Sequence, residues 1–440
     1  ALRNMTDNQS HESYGWSAYA RSVADLMVGI NMTRLFTCRN HKLLTVGRVQ
    51  TPTLGLVVAR DKLIEEHKKL KYYDVTCDID VQNKSVPAKY VPAKDDAHLT
   101  DGKILDKGYA ENIVKTLTGR QLNNITIAKP TLHESPPLPF NLVKLQSYCS
   151  SHFGYSPQQT LDITQSLREN HKAITYNRSD CQYLSDEHFA EAPGVVAAVT
   201  KNISYTPSGL DTTIKSKCFD SSKISAHFAI IPTNEKVDIQ KLSDRERNVY
   251  LAVCKYYLAQ FLPNAVKEQT KLVCKLDDGA ELRSVSTVIL KPGYRAIFKE
   301  AEKDEVSELS SLMAGKYNGS VAGAEVIEKE TKPPARYTKA SLNEDMTRIS
   351  KYVTDENIKK LLLAKDAGKE GENGSIGTSA TRSGIIENLV KRGFLKEEGK
   401  KLISTPLGRE LYKILPDEIK KADMTAKWWA IQEDIQNGNC

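Results

Sequence analysis

The eight cysteines contain no Cys-x-x-Cys pair; they are scattered at Cys38, Cys77, Cys149, Cys181, Cys218, Cys254, Cys274 and Cys440. A four-cysteine zinc module is therefore excluded. Irregular spacing in a long chain points to reduced thiols in a cytosolic compartment rather than a disulfide framework. No apolar run approaches the roughly 18 residues that a spanning helix needs. A secretory signal is also missing, as are fixed-period repeats and low-complexity tracts, which argues against solenoids and largely disordered chains.

What is present is an ordinary globular composition, with 40% hydrophobic and 27% charged residues in a chain of 440. That length suits about three domains. The net charge of +7 is modest and does not demand an anionic partner. Its distribution says more. Residues 1–60 hold seven Lys or Arg against three Asp or Glu, so +4 of the charge lies there. Six of those seven are Arg, whose planar fork fits phosphate better than an ammonium does. The first residue is Ala1 rather than Met, and a recognisable motif begins by residue 20, as in a portion of a longer protein.

The order along the chain reads helical, β, helical, β, helical. Val23, Leu26, Met27 and Ile30 recur at helical spacing in Arg21 to Asn31. Thr51-Pro52 opens a second helix, with Thr51 expected at its N-cap. Tyr72 to Val81 and Asn124 to Ala128 read as strands. The breaker Ser135-Pro136-Pro137-Leu138-Pro139 precedes helices over Asn141 to Phe153 and Pro157 to Asn170. Strand character returns after Pro263, in Leu272 to Leu276 and Ser284 to Leu290. Lys332-Pro333-Pro334 then introduces a helical region from Ser341 onward. Nested insertion is the economical arrangement. Residues 1–66 and 336–440 form one helical domain, 67–136 and 263–335 a β-rich domain, and 137–262 a helical insert.

Four stretches can carry chemistry. In Ile174-Thr175-Tyr176-Asn177-Arg178-Ser179-Asp180, Tyr176 is a candidate nucleophile toward a phosphodiester. A phenol needs a nearby cation to act at neutral pH, and Arg178 is two residues away. With 19 tyrosines in the chain, a tyrosine beside an arginine is ordinarily structural. In Ala226-His227-Phe228-Ala229-Ile230-Ile231-Pro232-Thr233, His227 is either a core histidine or a partner for a phosphate. Val46-Gly47-Arg48-Val49-Gln50-Thr51-Pro52 and Ile376-Gly377-Thr378-Ser379-Ala380-Thr381-Arg382 each lead into a helix. Either can cradle a phosphate or be a plain capped turn.

Taken together and in order, these runs resemble the type IA DNA topoisomerases, most nearly the bacterial topoisomerase III branch. Ala20-Arg21-Ser22 with Asp25, Gly29-Ile30-Asn31, Lys391-Arg392-Gly393-Phe394 and Thr405-Pro406-Leu407-Gly408-Arg409 extend the likeness over nearly the whole chain. The resemblance implies a multidomain α+β toroid of helical domains and a β-rich arch. It implies an ATP-independent isomerase that cuts one strand through a 5′-phosphotyrosine link and passes another through the gap. It implies Tyr176 as nucleophile, with Arg178, His227, Glu169 and Asp180 as its catalytic company. It places Arg21, Asp25, Arg48, Gln50, Gln165, Ser179, Thr378, Thr381 and Arg382 on single-stranded DNA. Asn177 stands where the family commonly has Pro, and Phe228 where it commonly has a second His.

The family's Toprim domain, with its Glu, Lys and Asp-x-Asp magnesium site, has no counterpart in this sequence. Asp78-Ile79-Asp80 lies in a strand of another region, and Asp366-Ala367-Gly368-Lys369-Glu370-Gly371-Glu372 lacks the spacing. The expectation is therefore a core whose Mg²⁺ ligands lie elsewhere, with no metal bound by this chain and weak or no cleavage on its own. Expected partners are single-stranded DNA, duplexes and catenanes, with no membrane. The expected form is a monomer in the cytoplasm, associated with the nucleoid. Tyrosine recombinases fit poorly, because none of the nine His has an Arg three residues on, and relaxases would need a His-apolar-His motif. The alternative is a single-strand-binding module without chemistry.

Overall fold

The computed structural model describes residues 7–224, 226–298, 307–369 and 371–439. Glu370 and Cys440, which enter the readings above, lie outside the described residues.

The first helix, α1 (Glu12–Asn40), is far longer than its apolar spacing suggested. Its stripe faces solvent: Leu26, Met27 and Ile30 are 60%, 57% and 47% exposed. Helix α2 (Gln50–Glu65) begins one residue before the expected cap, with Val49 at the N-cap. Thr51 is not the cap because its hydroxyl is turned back to accept the Gly47 N–H at 3.2 Å.

The chain then enters a nine-stranded sheet. Its strands are β1 (Lys71–Val81), β2 (Lys84–Val91), β3 (Leu99–Thr100), β4 (Lys103–Ile104), β5 (Gln121–Ala128), β6 (Thr131–Glu134), β7 (Ala265–Lys275), β8 (Glu281–Lys291) and β9 (Gly315–Glu330). Helix α3 (Lys107–Leu117) packs on β1 and β9. Neighbours run β2-β8-β7-β5-β9-β1, and β1 also pairs β2, so six strands close on themselves and remove their open edges. Alternation puts Val75, Cys77, Ile79 and Val81 inside while Asp78 and Asp80 face solvent. Strand β9 carries no clear alternation, yet it lies between β1 and β5. Gly319 permits that approach, since a Cβ there would sit 2.3 Å from the Asp80 carbonyl oxygen.

Between β6 and β7 the middle segment folds as α4 (Leu142–Phe153), α5 (Pro157–Glu169), α6 (Asp186–Asn202) and α7 (Asp244–Leu258). Each start is chemically marked. Asn141 caps α4, and Ser156, Ser185 and Ser243 close capping boxes on α5, α6 and α7. The last segment holds α8 (Lys339–Met346), α9 (Glu356–Lys365), α10 (Arg382–Lys391), a hairpin of β10 (Leu395–Glu398) and β11 (Lys401–Ser404), α11 (Pro406–Ile414), α12 (Asp417–Lys420) and α13 (Asp423–Gln436). The hairpin interrupts a region read as wholly helical. Gly55 of α2 lets α11 come close, because a Cβ there would meet the Tyr412 ring at 2.7 Å.

Buried apolar side chains gather into three clusters. One joins Phe36 to Val57 with Tyr337 to Ala426, one lies within the sheet, and one runs from Phe140 to Ile297. Tyr294 and Ile297 belong to the last cluster, although a boundary at 263 assigned them to the β-rich part. The turn after β8 folds back: the Tyr294 N–H donates to the Pro263 carbonyl at 2.9 Å and its hydroxyl to Glu134 at 2.7 Å. Seven described cysteines are free. Burial pushes the thiols of Cys77, Cys149, Cys218 and Cys254 up to about 12, which makes them inert packing groups.

Candidate active site and nucleic-acid groove

After α5 the chain returns beneath its own helix and pairs with a second loop. Ile174 bridges Pro232. The Thr175 N–H donates to the Ile231 carbonyl at 2.9 Å, its hydroxyl donates to the Ala229 carbonyl at 3.1 Å, and it accepts from the Ile231 N–H at 3.0 Å. This clasp brings Tyr176 and His227 together from separate stretches of sequence. Their rings stack with centroids 4.8 Å apart and planes 20° from parallel. His227 Nδ1 lies 3.9 Å from Asp180 Oδ1, so the carboxylate faces the edge of the imidazole.

Helix α5 holds the Tyr176 loop from the other side. Arg178 donates through Nη2 to Gln165 Oε1 at 3.2 Å, and Gln165 Nε2 donates to Glu169 at 3.2 Å. Asn177 is buried and donates to the Thr164 hydroxyl at 3.2 Å, while its own amide oxygen has no partner. The loop thus keeps its place without the family's usual proline, through an anchor to α5. Ser179 is fully buried and its hydroxyl accepts from the Cys181 N–H. Its side chain is not offered to a strand, contrary to expectation. It braces the turn instead, and its carbonyl accepts from the Leu142 N–H at the start of α4.

A groove of about 490 Å³ lies beside this loop, lined by Arg21, Asp25, Arg48, Gln50, Thr378 and Thr381, with Asp180 reaching into it. Tyr176, Arg178, His227, Gln165 and Glu169 are not among its lining residues. Asp25 holds the cations: Arg48 forks onto both its oxygens at 2.6 and 3.1 Å, and Arg21 lies 3.9 Å away. The Arg48 guanidinium also sits 5.5 Å from the Trp428 ring centre. Gln50 donates to the Thr45 hydroxyl at 2.9 Å and accepts from Asn388 at 3.2 Å. The hydroxyls of Thr378 and Thr381 bond each other at 3.0 Å at the start of α10.

Arg382 departs from expectation. It is fully buried, forks onto Glu372, and donates to the carbonyls of Ile376 and Gly377. All its donors face inward, so it shapes the loop and does not reach a strand. Lys365, Lys369, Trp429 and Gln432 also line the groove and were not read from the sequence. Thr425, Trp429 and Gln432 lie at helical spacing on α13, a pattern that carries no signal until the helix is placed. Burial holds the Lys365 ammonium below its usual range, and it donates to Asp366 at 2.7 Å and to Ser375 at 2.9 Å.

Another unread contact involves Arg168 in the last turn of α5. Its guanidinium lies 4.7 Å from the centre of the Tyr176 ring, a cation–π contact that at an exposed position is worth about 0.5–1 kcal/mol.

A magnesium ion, which the resemblance implies, would need carboxylates free to ligate. Among the described residues no group of three or more His, Cys, Asp or Glu could hold a metal ion. Three of the four acidic groups at the groove are tied to cations, Asp25 by Arg48, Asp366 by Lys365 and Glu372 by Arg382, and the fourth, Asp180, faces His227 at 3.9 Å. The residues present do not fit that ion, and no step is routed through it.

A DNA topoisomerase family model matches residues 9–440. The chain is 35% identical over 455 residues to DNA topoisomerase 3 of Pasteurella multocida, covering 97% of this chain and 68% of that protein. It is 35% identical over 444 residues to DNA topoisomerase 3 of Vibrio cholerae, covering 97% and 67%. Among solved structures, full-length topoisomerase I from Thermotoga maritima aligns with a TM-score of 0.64 over 96% of this chain and 64% of that one. At 22% identity this likeness speaks to the fold alone. The chain belongs to the type IA DNA topoisomerase family, and its mixed helices and large antiparallel sheet have that family's multidomain α+β core. It spans about two thirds of the length of the relatives it matches. Among the described residues, no helix is long and apolar enough to cross a membrane.

Proposed function

We propose that this chain is the strand-cutting core of a type IA topoisomerase, with Tyr176 as nucleophile. The observation that supports this most is the stacking of Tyr176 on His227, with Asp180 behind the histidine and Arg178 on the same loop. In the reaction the Tyr176 oxygen attacks a backbone phosphorus. The Oη–P bond forms as the bond from phosphorus to the 3′ oxygen breaks, leaving the 5′ side on the tyrosine. Tyr176 gives up its proton and the 3′ hydroxyl gains one. One phosphoester replaces another, so no ATP is consumed and religation is the reverse step.

Arg178 stabilises charge on the phosphate, and His227 contacts the same group. Asp180 orients His227, while Gln165, held by Glu169, positions Arg178. Arg21, Arg48, Gln50, Thr378 and Thr381 carry the strand along the groove. Opening the gap lets a second strand or duplex pass, and catenanes are substrates in this reading. The protein works as a monomer in the cytoplasm, on the nucleoid. Magnesium and the general acid belong to the portion of the relatives that this chain does not match, so cleavage by the chain alone is weak. A second reading, a binding module without chemistry, is favoured by the engagement of Asp25, Asp366 and Glu372 with cations at the groove.

The test is covalent trapping. The chain is mixed with 3′-end-labelled single-stranded DNA and Mg²⁺, with and without a separately expressed Toprim domain, and quenched with SDS. Label retained on the protein when that domain is present, and lost in Tyr176→Phe while strand binding persists, is the expected result. No adduct under either condition leaves the binding-module reading.

A further inference from the structure

We infer that Arg168 is a phosphate ligand at the nucleophile, a role that rests on the reading of Tyr176 as the attacking group. Among the described residues the Tyr176 ring meets the His227 ring at 4.8 Å and the Arg168 guanidinium at 4.7 Å. Arg168 is exposed, and no Asp or Glu among the described residues forms an ion pair with it. Its sequence neighbour Glu169 receives the Gln165 amide instead. A guanidinium placed over a ring is held through its charge, and its five N–H donors are not spent on a hydrogen-bond acceptor by that contact. The ring therefore fixes the cation without using those donors. Arg178, on the nucleophile loop, spends one N–H on Gln165 and likewise forms no ion pair among the described residues. A phosphate brought to the Tyr176 hydroxyl thus meets two guanidiniums with donors to spare, one from the loop and one from α5. Planar N–H forks of this kind suit the non-bridging oxygens of a phosphodiester.

The alternative role for Arg168 is to complement the C-terminal dipole of α5, which needs a positive charge but no phosphate. Salt dependence separates the two. Each phosphate contact on a single strand contributes about 0.7 to the slope of log affinity against log salt. The experiment measures binding of a fluorescein-labelled single-stranded oligothymidylate to the full chain, by anisotropy, over a series of NaCl concentrations. Arg168→Met and Arg168→Gln are each expected to weaken binding about tenfold and to flatten the slope by about 0.7. Arg168→Lys is expected to restore the slope and part of the affinity. Wild-type slope and affinity in both neutral variants would overturn the inference. If one neutral variant melts early, the other decides. The trapping experiment fails or succeeds independently. Absence of any adduct in the wild type removes the nucleophile reading, whereas adducts together with unchanged slopes remove only the role of Arg168.

Discussion

The arginines at the groove and those beside Tyr176 are treated oppositely. On the groove side, Arg382 is buried on Glu372 and Arg48 is forked on Asp25. On the tyrosine side, the side chains of Arg168 and Arg178 meet a ring and an amide and form no ion pair among the described residues. A buried guanidinium must be paired, because an uncompensated charge in a dry interior is costly. An arginine whose donors remain free can meet an anion that arrives later. Motif membership alone does not separate these roles, and burial with pairing does.

Tyr176→Phe should remove all covalent adduct yet leave oligonucleotide affinity close to wild type. A collapse of binding would mean the hydroxyl supports the loop. Arg382→Met should be next, since it strands Glu372 in the interior. Removing one partner of a buried pair costs about 3–5 kcal/mol, read as an early melting transition. Adding Glu372→Met should recover much of that loss, and failure to recover would mean that the carbonyl bonds of Arg382 matter more than its charge.

Asp25→Asn should act in the opposite direction on binding. It releases Arg48 and Arg21 from their shared carboxylate, so single-strand binding should tighten and its salt slope steepen by about 0.7 for each released contact. Weaker binding would instead show that Asp25 holds the cations in a productive place.

The smallest effect concerns pH. Burial pushes the Glu246 carboxyl up, but hydrogen bonds from Ser166 and Ser243 and the nearby His171 outweigh it and hold it at about 2. A carboxyl lowered in the folded state stabilises above its unfolded value, near 4.5, and that contribution is lost as pH falls toward 2. Glu246→Gln should flatten the melting-temperature profile in that window and lower the plateau above it. An unchanged profile would show that this link between α7 and α5 contributes nothing to the transition.

Much of the element order was legible because local rules suffice for it. Alternation marked β1, Thr51-Pro52 marked the start of α2 to within a residue, and the proline clusters marked both breaks. β9 and the hairpin of β10 and β11 were not legible. β9 is half-exposed along most of its length, so its residues show no clean period, and pairing with β1 and β5 is what makes it a strand. The stripe on α1 was read correctly as helical. Period says which residues share a face and does not say what the face meets, and here it meets solvent.

The site divides in the same way. Sequence alone determined which chemical groups are present, their order, and the family resemblance that ties Tyr176, Arg178 and His227 to one reaction. Tertiary structure decided which of them are free to act. The clasp of Thr175 on Ile231 stacks Tyr176 on His227, and the placement of α13 brings Trp429 and Gln432 to the groove. Burial withdraws Arg382 and Ser179 from the surface, while the turn of α5 sets Arg168 on the tyrosine ring. The reason is physical. A side chain's chemistry is local, but its availability depends on desolvation and on partners contributed by distant segments, which only packing brings together.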